Sequence, residues 1–145
     1  MEAYLIATAC TKFEKKADQT FKSLTEEVYC DLLKSAKVEN GNMIGQAWFG
    51  NCGMGTFGQN NIRGQVCFTP LVQKKLFPER VGIINVEGGC ATGSMAFHGA
   101  WKDIISGTED VSLAIGVEKI YQPNQPEKIQ EIYDGGIDQF DRNEW

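Results

Sequence analysis

A single histidine, His98, occurs among the 145 residues. Any catalytic pairing of a nucleophile with an imidazole therefore has one residue to draw on. The five cysteines, Cys10, Cys30, Cys52, Cys67 and Cys90, are scattered and odd in number. No Cys-x-x-Cys pair is present, so neither a zinc site nor a disulfide framework is indicated and no metal is expected. A reducing, cytoplasmic location fits free thiols best. No apolar run approaches the roughly 20 residues of a membrane helix. No basic segment followed by an apolar stretch and a small-residue cleavage site opens the chain, so secretion is not expected. Basic stripes are missing too. With a net charge of −5, and with Lys15-Lys16 and Lys74-Lys75 reading as solvated pairs, a general nucleic-acid role is excluded. Internal repeats and low-complexity segments are likewise absent.

What remains is the composition of one globular domain, 42% hydrophobic and 23% charged. Its length suffices for a core. Residues 3–9 are short and apolar and predict a buried strand. Phe21, Leu24, Val28, Leu32 and Ala36 recur at helical spacing, with Asp18 or Thr20 as the cap. After a turn at residues 39–42, residues 43–49 predict a second strand. Residues 51–61 are rich in Gly and Asn and predict a loop. A second helix is expected from near Ile62 to before Pro78. Strands at 81–86 and 111–120 flank a third helix over 91–106, stopped by Gly107. The alternation predicts an α/β fold in βαβαβαβ order, a sheet with helices on both faces. The third helix is apolar nearly all round (Met95, Phe97, Ala100, Trp101, Ile104, Ile105), which implies burial against a further layer. Pro123 and Pro126 make the segment after Ile120 a linker or an irregular excursion. A short helix is expected over 127–133.

The chemistry concentrates at Gly88-Gly89-Cys90-Ala91-Thr92-Gly93-Ser94. The apolar strand Val81, Ile83, Ile84, Val86 runs into it and an apolar helix runs out. Cys90 thus stands on a tight strand-to-helix turn. Backbone N–H groups at a helix start favour a thiolate, the form that attacks carbonyl carbon. The Cys90 N–H is also placed to serve as an oxyanion donor. The competing reading is a small, inert core residue. His98 lies eight residues further along the helix, about 12 Å at 1.5 Å per residue, too far for direct proton transfer. It reads as a structural or interface histidine. Glu118, at a strand end, either orients active-site groups or faces water. Asn60 and Arg63 either hold the dimer or a loop near the nucleophile, or are structural. Asn51-Cys52-Gly53-Met54-Gly55 lacks the features of a phosphate loop. Met54 and Phe57 read as loop anchors, with a neighbouring subunit as one candidate contact.

Four stretches in order resemble the thiolase family. Asn85-Val86-Glu87-Gly88-Gly89-Cys90-Ala91-Thr92-Gly93-Ser94 is similar to its nucleophile motif. Asp110 through Gly116-Val117-Glu118-Lys119 is similar to the strand after the nucleophile helix. Gly58-Gln59-Asn60-Asn61-Ile62-Arg63-Gly64-Gln65 resembles the stretch ahead of the family's second helix. Ala3 through Ala9, followed by Thr11-Lys12-Phe13, resembles the opening of the lipid-transfer-protein-like thiolases and acetyl-CoA acyltransferases. The resemblance covers roughly residues 1–120.

It implies a thiolase-like N-terminal half with a mixed sheet, normally paired with a second similar half. Residues 1–120 would form the nucleophile domain. Residues 121–145 would be a linker and the start of the loop region over the coenzyme A site. The implied activity is acyl transfer through an acyl-Cys90 thioester: thiolytic cleavage of a β-ketoacyl-CoA or the reverse Claisen condensation. Coenzyme A enters as substrate, with no permanently bound cofactor. Thiolases are about two and a half times this length, and the Gly-His-Pro and Cys-x-Gly motifs of their second half do not occur here. The base is therefore expected from the remaining thiolase half, on the same or a separate chain. A homodimer or higher oligomer is implied, and a small zinc-ribbon/OB-fold partner is compatible. A ketosynthase-like condensing enzyme, a thiolase-like aldolase and a non-catalytic scaffold subunit remain as alternatives.

Overall fold

A computed structural model describes residues 2–141. Its order is α1 (Phe21–Ala36), β1 (Gln46–Gly50), α2 (Arg63–Gln73), β2 (Gly82–Val86), α3 (Thr92–Ser106), β3 (Ser112–Gly116) and α4 (Glu127–Asp134). Helix α1 begins where Thr20 and Ser23 form a reciprocal cap, each side chain accepting the other's backbone N–H. Such a cap satisfies N–H groups that have no partner within the helix. Helix α2 has no side-chain cap of its own, and Ile62 before it is left-handed at φ 47. A β-branched residue is strained there. The first turn is instead held from the sheet, where the Asn85 side chain of β2 accepts the Gly64 N–H at 2.6 Å. The helix ends at Gln73, earlier than Pro78, with Lys75 left-handed beyond it.

The three strands are parallel, in the order β2-β1-β3. Register places Ala47 beside Ile83 and Leu113, and Phe49 beside Asn85 and Ile115. Strand periodicity sends this set to one face and Trp48, Ile84 and Ala114 to the other. The first face meets α1 and α2 in the main core, with Tyr29, Phe49 and Phe68 fully enclosed. Phe68 stacks edge-on against Phe77 at 4.5 Å between centroids. Burial pushes the Tyr29 phenol well above its ordinary value, and its hydroxyl donates to the Leu76 carbonyl at 3.1 Å. The second face meets α3. There Asp103 of α3 accepts from the Trp48 indole and from the Ser112 hydroxyl, each at 2.7 Å, tying β1, β3 and α3 together. Helices on both faces of an α/β sheet are thus present.

Three expectations need correction. Residues 3–9 form no strand, and the described sheet has three strands, all parallel. They face the free edge of β3 across a slot of about 520 Å³, walled by α1 and α3. Tyr4, Leu5 and Ile6 are exposed because this slot separates them from a ladder partner. Helix α3 is not buried all round. Its covered stripe is the small set Thr92, Ala96, Gly99 and Ala100, whereas Met95, Phe97 and Trp101 stand about half exposed. The sheet takes the narrow side of the helix because Trp48 already fills the space beneath it. The expected loop over 51–61 contains a short 3-10 turn, Gly53–Phe57. Of the segment 121–145, helix α4 forms as expected and residues 142–145 lie outside the described residues.

Candidate functional site

All strands run the same way, so the residues after Gly50, Val86 and Gly116 emerge at one end of the sheet. Crevices at the carboxyl ends of parallel strands are the usual ligand-binding edge of such folds. Here that edge collects Asn51-Cys52, Glu87 through Cys90, and Val117-Glu118. Asn51 is fully buried and locks the edge. Its amide donates to the Val117 carbonyl at 2.7 Å and accepts the Met54 N–H at 2.9 Å. The Asn51 carbonyl in turn receives Arg63 at 2.6 Å.

Cys90 stands in a 3-10 turn, Gly89–Ala91, that leads straight into α3. It is exposed and carries no disulfide. Gly89, just before it, is left-handed at φ 56, a conformation that glycine adopts without strain. Four hydrogen bonds fix the turn. Glu87 accepts the Gly89 N–H at 2.6 Å. Thr92 accepts the Gly88 N–H at 2.9 Å and donates to the Gly89 carbonyl at 2.7 Å. The Ala91 N–H goes to the Gly88 carbonyl at 3.0 Å. The Cys90 N–H takes part in none of these bonds. Below, the absence of a side chain at Gly50 lets Thr92 seat on the end of β1. A Cβ at Gly50 would come within 3.0 Å of the Thr92 methyl.

Glu118 does not simply face water. Its carboxylate accepts the N–H groups of Cys52 and Gly53, closing the edge beside Asn51. Partial withdrawal from solvent raises its carboxyl above the ordinary value, against the lowering effect of those two N–H groups and of Arg63. Cys52 lies between two carboxylates, with its sulfur 3.7 Å from Glu87. Burial first, then Glu118 and Glu87, push this thiol up. A raised acid binds protons in the folded chain that the unfolded chain has already released. The stability that Glu118 contributes is thus fully present below the unfolded carboxyl value, near 4.5. It falls as pH rises through the higher folded value. Urea titrations of wild type and Glu118→Gln across that window are expected to show the wild type losing stability relative to the variant. A gap that does not change with pH contradicts the burial of this group. Glu27, lowered by its bond to Lys16, has the opposite slope but is common to both proteins.

The other residues singled out in the sequence fall as follows. Arg63 is drawn into the edge, whereas Asn60 is exposed. Met54 and Phe57 anchor the loop within the chain, Met54 against Cys67 and Phe57 against Phe21. His98 is exposed and stacks on Trp101 at 5.4 Å, away from the turn's hydrogen bonds. Among the described residues no cluster of three or more His, Cys, Asp or Glu side chains is able to hold a metal. None of the described helices is long and apolar enough to cross a membrane. Asn51, Glu87 and Thr92 were not singled out by sequence reasoning. A polar residue directly after a strand, and a hydroxyl two residues after the nucleophile, were the available signals.

Residues 3–137 match the family described as thiolase, N-terminal domain. The chain is 32% identical over 117 residues to benzoylsuccinyl-CoA thiolase subunit BbsB of Thauera aromatica, covering 81% of this chain and 28% of that protein. It is 31% identical over 117 residues to the acetyl-CoA acetyltransferase of Methanocaldococcus jannaschii, covering 80% of this chain and 28% of that protein. It therefore spans under a third of the length of these relatives. A parallel sheet with helices on both faces, a cysteine turn at its carboxyl edge and a family match across most of the sequence agree: the chain belongs to the thiolase family and carries its N-terminal domain.

Proposed function

We propose that this chain supplies the nucleophile of a thiolase-type acyl-CoA acyltransferase. The exposed Cys90, at the carboxyl edge of the sheet and the start of α3, carries this reading. Its thiolate attacks the keto carbon of a β-ketoacyl-CoA. The bond to the alpha carbon then breaks, and the departing carbanion takes a proton to leave as an acyl-CoA. Free coenzyme A attacks the acyl-Cys90 thioester, and the thiolate is returned. The Cys90 N–H, unused within the turn, is the candidate donor to the oxyanion. Base and acid come from the remaining thiolase half. The open slot beside β3 and the half-exposed α3 face support the packing of more polypeptide here. Coenzyme A acts as substrate, an oligomer is the working form, and a reducing compartment keeps the thiols free.

Iodoacetamide labelling separates this reading from an inert scaffold. Cys90 is expected to react about tenfold faster than the exposed Cys10, as an activated thiol at a helix start does. Cys30, Cys52 and Cys67 are expected to lag, because burial raises all three thiols. Desulfo-coenzyme A is expected to protect Cys90 alone. Labelling of Cys90 no faster than Cys10, without protection, refutes an activated nucleophile.

A further inference from the structure

Thr92 has two chemically separable halves, and they meet different parts of the site. Its hydroxyl is fully used, accepting from Gly88 and donating to Gly89. Those two residues precede Cys90, and their peptide groups set the direction in which its side chain and N–H point. Its methyl faces away from them, against Gly50 at the end of β1. The residue is 6% exposed, so neither half has water as a substitute partner. Glu87 restrains the same turn from outside through the Gly89 N–H, but as an exposed side chain. The buried hydroxyl is the only one of the two contacts that bridges both sides of the left-handed Gly89.

We infer that Thr92 is a positioning residue for Cys90, with its hydroxyl, rather than its bulk, holding the nucleophile turn in its reactive geometry. This rests on the reading of Cys90 as an activated thiol. Loss of both bonds frees the turn on either side of Gly89 and is expected to cut the Cys90 rate about tenfold.

The test compares Thr92→Val, which keeps the shape and removes both bonds, with Thr92→Ser, which keeps the bonds and removes the methyl. Cys90 alkylation by iodoacetamide is measured by peptide mass spectrometry, with Cys10 in the same molecule as the reference. Circular dichroism melts confirm that each variant is folded at the labelling temperature. The Cys90-to-Cys10 ratio is expected to fall about tenfold in Thr92→Val and to stay within about twofold of wild type in Thr92→Ser. The thermal midpoint is expected to fall in Thr92→Ser, which loses the contact with Gly50. An unchanged ratio in Thr92→Val, or an equal fall in both variants, overturns the role of the hydroxyl while leaving Cys90 activated. A wild-type ratio of about one overturns the activated nucleophile, and the positioning role with it.

Discussion

Cys90→Ser is expected to lower thiolytic turnover by about three orders of magnitude in any assembly that contains this chain. Serine nearly preserves volume and keeps the backbone N–H. It exchanges a thiol for a hydroxyl, which is a far weaker nucleophile toward a carbonyl carbon. The loss thus isolates nucleophilicity from shape. Loss of acetoacetyl-CoA, followed by absorbance, gives the rate, and intact-protein mass spectrometry gives the acyl adduct. Wild type is expected to accumulate one acetyl group on Cys90, and the variant none. The helix start and the turn remain in the variant, so substrate affinity is expected to change much less than the rate. Residual turnover within about tenfold of wild type contradicts a covalent acyl-Cys90. Residues 1–145 alone are expected to show no turnover, because His98, the lone histidine, lies eight residues beyond Cys90 and is stacked on Trp101.

Where local signals dominate, the sequence was a good guide to this fold. Thr20 opening α1, Gly107 closing α3 and a largely apolar β2 all act through neighbours a few residues away. The cysteine turn was legible for the same reason, since strand, glycines and helix lie in one run. Long-range contacts hid the rest. Residues 3–9 have the composition of a strand, but pairing depends on what lies beside β3, and no local pattern encodes that. The all-round apolar pattern of α3 did not show that small residues would face the sheet. The sequence left Glu118 open between orienting site groups and facing water, because its N–H partners, Cys52 and Gly53, are more than sixty residues away. The lock formed by Asn51 was invisible for an equivalent reason, since its acceptor lies on the residue after β3.

Asn51→Leu is expected to have the largest effect on stability among single changes at the edge of the sheet. Leucine is close in volume, so the substitution removes hydrogen bonds more than packing. Two backbone groups lose their partner, the Val117 carbonyl and the Met54 N–H. Val117 and Met54 are both buried, and water is not available as a replacement. A buried group left unsatisfied costs about 1–3 kcal/mol, so the pair implies roughly 2–6 kcal/mol. Native domains have only about 5–15 kcal/mol in total. Urea unfolding is the measurement, and a midpoint shift with an unchanged slope is the expected form of the result. Phe68→Ala provides the scale, since emptying an enclosed aromatic site costs about 3–5 kcal/mol. If Asn51→Leu costs less than about 1 kcal/mol, its amide is not what joins β1 to β3. The same bonds fix the carbonyl that receives Arg63 and the loop that Glu118 closes. A folded Asn51→Leu protein is therefore expected to lose Cys90 selectivity as well. Stability and reactivity then fall together through one buried amide, at the edge where strand order and chemistry meet.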